Sequence, residues 1–225
     1  MYWSISIREM FLLCSIGAAM LIANPVQASV IFETGNNPQP DEENVLFNES
    51  GLINSGLTVQ GITNQSGVIV NFTGNVELTT PSLGQARIEP LDAAAQWTDL
   101  LIALDGGTFA DLILNLNVPN SLSGTVQFTA NSVDAIGNPE PVQVSSNFVV
   151  NQGSNFFTIS TSGGERMQDL SLATTIGLTD VRQVRISGVE TIQVVPEPGS
   201  YLLMASGVLL GVAFGLRRLR KARRS

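Results

Sequence analysis

Between Ser29 and Val195 the chain holds seventeen Asp or Glu residues, no histidine and no cysteine. That inventory limits the chemistry open to it. A Ser-His-Asp triad, a cysteine nucleophile and a His or Cys zinc site are all excluded there. What remains is a carboxylate pair acting as acid and base, or as nucleophile. Glu33, Asp99, Asp111 and Glu140 fall at strand ends or turns, and no spacing singles out a pair, so the domain is not expected to be an enzyme. Asp41-Glu42-Glu43 offers oxygens to a divalent cation. Hard cations need six or more oxygens in fixed geometry, however, and a solvated charge run is the simpler reading. No cofactor and no metal site are expected. Trp97 is the single Trp of this region, which has no Tyr. A sugar platform needs an exposed aromatic face, whereas the setting "AAAQWTDLLIAL" suits a core or edge tryptophan.

The charges are strongly segregated. The chain carries −8 overall, but residues 29–195 hold only four cations, Arg87, Arg166, Arg182 and Arg185, against the seventeen acids. Nucleic acid is therefore not an expected partner. Arg182 and Arg185 differ by three and should fall on opposite faces of a strand, one of them against a carboxylate. Three Asn-X-Ser/Thr triplets, at Asn48, Asn64 and Asn71, read as part of a polar β surface.

The elements that must position these residues are strands. Short alternating apolar runs, among them "GLTVQGIT", "GVIVNFTG", "DLLIALDGG", "ADLILNLNV", "GTVQFTANSV", "NFFTIST" and "VRQVRISGV", are separated by Gly, Asn, Asp, Pro and Ser. Asp105-Gly106-Gly107 reads as a hairpin turn. Residues 164–178, "GERMQDLSLATTIGL", are ambiguous between strand and a short helix. About eleven strands in one domain predict an all-β fold, a single jelly-roll-like β-sandwich over residues 29–194. "NNPQPDEEN" (36–44) should be an exposed loop.

Both ends read as targeting segments. Arg8, the apolar run Met10 to Ala23, the helix-breaking Pro25, and Val26 and Ala28 at the −3 and −1 positions predict a signal peptide over residues 1–28, cleaved before Ser29. The rival reading is an uncleaved anchor. At the other end, Tyr201 to Leu216 is uncharged and predicts a membrane helix slightly shorter than the usual span of about 20 residues. Gly207, Gly211 and Gly215 form a small-residue stripe on it. Arg217, Arg218, Arg220, Lys221, Arg223 and Arg224 follow in residues 217–225 and should stop the helix with its tail inside. The acidic domain is then outside, in agreement with the signal peptide.

Ahead of that helix lies Val195-Pro196-Glu197-Pro198, within a linker spanning 195–200. Two prolines fix an extended backbone that joins neither helix nor sheet, and they hold Glu197 as a charged point at the membrane surface. The simpler alternative is a stiff spacer. Triplet, apolar helix and basic end, in that order, closely resemble the PEP-CTERM sorting signal of Gram-negative bacteria. The resemblance implies recognition by an exosortase, an integral-membrane transpeptidase-like enzyme. It also implies that the helix is a transient membrane anchor, removed during sorting. Such proteins accompany exopolysaccharide and biofilm systems. "GQARIE", "GSNFFTI" and "QVRISGV" are also similar to segments of PEP-CTERM ectodomains, a likeness that implies no activity. The expected protein is thus an exported precursor held in the inner membrane, then a structural protein of the cell surface or matrix, with exopolysaccharide a candidate partner. The alternatives are a carbohydrate-binding module or a carboxylate-dependent glycan-active enzyme.

Overall fold

The computed structural model describes residues 29–81, 86–95 and 97–191. The signal helix and the membrane helix expected from the sequence lie outside these residues. Within them the chain is all β. The strands are β1 (Val30–Thr34), β2 (Glu43–Leu46), β3 (Ser55–Thr63), β4 (Ile69–Thr79), β5 (Arg87–Pro90), β6 (Asp99–Leu104), β7 (Gly107–Thr108), β8 (Asp111–Val133), β9 (Gln143–Val144), β10 (Phe148–Thr161), β11 (Arg166–Thr174), β12 (Asp180–Ser187) and β13 (Glu190–Thr191), the last paired with β7. The ambiguous stretch at 164–178 is strand β11. Its alternating burial fits a period of two rather than a helical period.

The expected sandwich is not what forms. Eleven strands join one sheet, and seven of them close into a barrel in the order β8, β11, β6, β4, β3, β2, β12 and back to β8. The closing strand is β8. Its C-terminal half pairs with β11 from Thr174↔Val126 to Arg166↔Val133, and its N-terminal half pairs with β12 from Asp180↔Asn117 to Ser187↔Asp111. The sequence shows "ADLILNLNV" and "GTVQFTANSV" as two strands with a turn between them. The chain instead runs through Pro119–Ser123 as one bent strand of 23 residues.

The bend has local causes. Ser121 sits at φ 66° and Gly153, on the neighbouring β10, at φ 85°. Between Asn151↔Ser123 and Gly153↔Val118 the two strands lose register. Gln152 bridges the gap, accepting from Ser121 N and donating to Asn120 Oδ1 at 3.0 Å. A bulge bends a strand and increases its twist, which is what closing a sheet requires.

Barrel interior and sandwich interior need the same alternation, so patterning alone could not separate them. In β6 the burial alternates along DLLIAL, with Leu100, Ile102 and Leu104 inward. They join Phe72, Phe128, Leu112, Leu114, Leu116, Leu170 and Val181 in one core cluster. Gly61 is required at the β2–β3 seam, because a Cβ there would lie 2.4 Å from Val45 Cγ1. Asp105-Gly106 does turn, with Gly106 at φ 68°, but no hairpin follows, since β6 pairs with β4 and β11. Strand β1, which the sequence pattern does not announce, pairs with β10 outside the ring, from Val30↔Thr161 to Thr34↔Phe157. There Phe32 stacks on Phe128 at 6.3 Å, and Phe128 also meets Phe157 and Phe148 at 5.1 and 6.2 Å.

Candidate functional site

The acidic cluster does not converge. Asp41 turns outward at φ 57°. Glu42 Oε2 accepts from Arg185 Nη1 at 2.6 Å, and its Oε1 accepts from Gln39 N. Glu43, 9% exposed, points elsewhere and caps the β3–β4 turn, its Oε2 taking Gln65 N and Ser66 N at 2.9 and 2.6 Å. Among the described residues no group of three or more acidic side chains could hold a metal ion. Nor is the cluster a solvated charge run, because two of its three members are structural acceptors.

Residues 35–42 form a strap over the non-core side of β8, β10 and β12. Thr158 Oγ1 accepts from Asn37 N at 3.0 Å and donates to Gly35 O at 2.9 Å, and Arg185 binds both Asn36 and Glu42. The loop is polar, as expected, but it is held down.

Arg182 and Arg185 share a face, contrary to the expectation from their spacing. Gln183 at φ 51° introduces a bulge, so Arg182 lies across from Asn115 and Arg185 from Ile113, two residues apart on β8. Arg182 clamps Asp180, with Nη2 on Oδ2 at 2.7 Å, and Asn117 Nδ2 adds a third bond at 3.2 Å. The hydrogen bond to Asp180 raises the pKa of Arg182. Asp180 is 1% exposed, so this is the carboxylate that accounts for one arginine, as anticipated.

Trp97 is fully buried and its Nε1 donates to Asp99 O at 3.1 Å. It presents no face to a sugar. The candidate carboxylates are each occupied locally or isolated. Glu33 accepts from Asn37 Nδ2, Asp99 from Thr98 Oγ1, and Asp111 from Ser187 Oγ. Shallow concavities mark the surface of the described residues. One of about 320 Å³ lies on the outer side of β4, β6, β11 and β8, between Thr73, Asn75, Asp99, Leu101, Gln127 and Ser171. Another, about 410 Å³, is lined by Pro90, Leu91, Pro119, Leu122 and Leu178. A third, about 430 Å³, lies between Asn36, Asn44, Leu46, Gln183 and Arg185. None of these three gathers a set of catalytic groups.

Sequence reasoning missed one residue. Glu165 is 2% exposed and reads in the sequence as an ordinary turn acid. Gly163 and Gly164, at φ 67° and 84°, reverse the chain ahead of it and tuck it inward. A Gly-Gly pair before an acid is a weak signal of such a reversal.

Of the sequence-predicted targeting residues, only Ser29 is described. Its carbonyl accepts from Ser162 N at 3.0 Å and Ser162 Oγ at 3.2 Å. Val26, Ala28, Val195, Pro196, Glu197, Pro198 and the six cations of the tail lie outside the described residues. No described helix is long and apolar enough to cross a membrane.

The class of protein is therefore defined by a closed β-barrel domain followed by a C-terminal targeting segment. That segment is specific: residues 194–221 match the PEP-CTERM protein-sorting motif, so the chain carries this signal and is marked as the substrate of an exosortase-type enzyme. No curated protein matches the chain. Among solved structures, the chain is similar to CBM29_1, a family 29 carbohydrate-binding module from Piromyces equi. The identity is 10% and the TM-score 0.28, over 71% of this chain and 88% of that one. At those values nothing about fold or ligand is drawn from the likeness.

Proposed function

We propose that this is a structural protein of the cell surface or extracellular matrix, delivered by PEP-CTERM sorting and associated there with exopolysaccharide. The observation that carries the reading is the match at residues 194–221. Three features support it. The apolar stretch 201–216, ended by six cations, serves as a temporary anchor with its tail inside. The domain ahead of it is acidic and has its four arginines committed to carboxylates, which suits a soluble body outside the membrane. The domain is also built for persistence, with every strand of the barrel paired on both sides.

The glycan-binding alternative loses its one aromatic platform with Trp97 in the core. Of the carboxylates weighed for a glycan-active enzyme, Glu33, Asp99 and Asp111 are taken up by Asn37, Thr98 and Ser187.

Glu197→Ala tests the reading. The charge between two rigid prolines is the specificity handle, so its loss should leave export intact and cause the uncut precursor to accumulate in the membrane fraction. Unchanged release from the membrane would remove Glu197 from the recognition step.

A further inference from the structure

Glu165 is a buried carboxylate without a counter-charge among the described residues. Ser132 Oγ and Gln143 Nε2, the latter at 3.2 Å, both donate to its Oε1, whereas its buried Oε2 has no hydrogen-bond partner among the described residues. Such a group is costly unless a donor or cation meets it. The arginines cannot, because they are paired as Arg87–Glu89, Arg166–Glu190, Arg182–Asp180 and Arg185–Glu42. The domain has no histidine, and the only lysine of the whole chain is Lys221 in the tail.

The segment beside Glu165 is the start of the domain. Gln143, which donates to Glu165, accepts at its Oε1 from Val30 N at 2.9 Å. Ser29 O takes two bonds from Ser162, and Ser162 O takes Glu165 N at 3.2 Å. The Ser29–Val30 peptide is thus held at its carbonyl by Ser162 and at its N–H by Gln143, whose side-chain amide links it to Glu165 Oε1.

We infer that Glu165 is the receptor for the chain's own mature N-terminus: cleavage after Ala28 frees the Ser29 α-amine, which docks as an ammonium on Glu165 Oε2. This rests on the signal-peptide reading. Water adds across the Ala28–Ser29 amide, its hydroxyl to the Ala28 carbonyl and a proton to the Ser29 nitrogen. The amine takes a second proton from solvent at neutral pH. The domain thereby gains its missing cation only once it has been cut free of the leader, so export and final stabilisation are coupled.

An ammonium beside a carboxylate keeps its proton longer, so its pKa rises. The full chain is purified from the envelope or medium of an exporting bacterium, and mass spectrometry fixes its N-terminus. Acylation of Ser29 by an N-hydroxysuccinimidyl acetate is then followed against pH. The expected midpoint lies about one unit above the ordinary value of about 8, so at pH 7 Ser29 reacts about tenfold more slowly than in Glu165→Gln. Acylation should also lower the Tm of the wild type and leave that of Glu165→Gln unchanged. The wild-type midpoint in urea supplies the reference should the variant not fold. An ordinary midpoint at a confirmed Ser29 terminus overturns the docking while leaving the processing intact. A terminus at any other residue, read from the mass alone, overturns the inference through its premise.

Discussion

Phe128→Ala should be among the most damaging single changes in the domain. Phe128 is fully buried on β8 and meets three rings, Phe157 at 5.1 Å, Phe148 at 6.2 Å and Phe32 at 6.3 Å. Truncating a buried Phe to Ala costs about 3–5 kcal/mol through lost transfer energy and the cavity left behind. Favourable ring pairs, worth about 0.5–1.5 kcal/mol each, place the loss toward the upper end of that range. The site cannot collapse easily, because its walls are paired strands on both sides, so a loss near 4–5 kcal/mol is expected. Against a total stability of about 5–15 kcal/mol that is a large fraction. With a urea slope of about 2 kcal/mol/M, the unfolding midpoint should fall by about 2 M. Phe32→Ala, at a half-buried ring on β1, should cost less than half as much. Equilibrium urea unfolding of the exported protein, followed by far-UV circular dichroism, gives both numbers. A loss below about 1.5 kcal/mol for Phe128→Ala, or a larger loss for Phe32→Ala, would refute the placement of the aromatic cluster.

Two further outcomes are expected. Arg185→Gln should free the strap at residues 35–42, costing about 1–2 kcal/mol by the loss of charge-assisted bonds at a partly buried site. Limited proteolysis within residues 36–42 should accelerate, and unchanged cleavage there would argue against a docked strap. Asp134 is held below the usual carboxylate range, first by the Asn138 side chain and then by the Asn138 amide. A depressed carboxylate contributes above its unfolded value of about 3.9 and loses that contribution as pH falls through the folded value. Amide exchange at Ile136 and Asn138 should therefore stay protected as pH falls through the ordinary carboxylate range and be lost only below it, where the folded Asp134 takes up its proton; protection that persists in the Asp134→Ala variant would contradict this.

Strand identity was legible because half-buried strands alternate, and β3, β6 and β11 do so. Closure was not, because it depends on β8 passing through Pro119–Ser123, residues that locally favour a turn. Long-range pairing with β10, β11 and β12 overrides that preference. The bulge at Gln183 leaves no mark in composition, so counting residues put Arg182 and Arg185 on the wrong faces. Asp41, Glu42 and Glu43 look alike in sequence and diverge because Asp41 lies in a turn at positive φ, Glu42 in the link after it and Glu43 at the start of β2. The sorting signal was legible in full, since its recognition depends on order along the chain and not on folding.

A C-terminal segment that is a sorting signal and not a permanent anchor is lost from the mature protein. Mass spectrometry of the protein from cells with and without the exosortase-type enzyme tests this most directly. With the enzyme, the mature protein should end near Pro196-Glu197-Pro198 and lack "YLLMASGVLLGVAFGL"; without it, the precursor should keep that segment and the basic tail. An intact segment on the mature protein in cells that contain the enzyme would contradict the account.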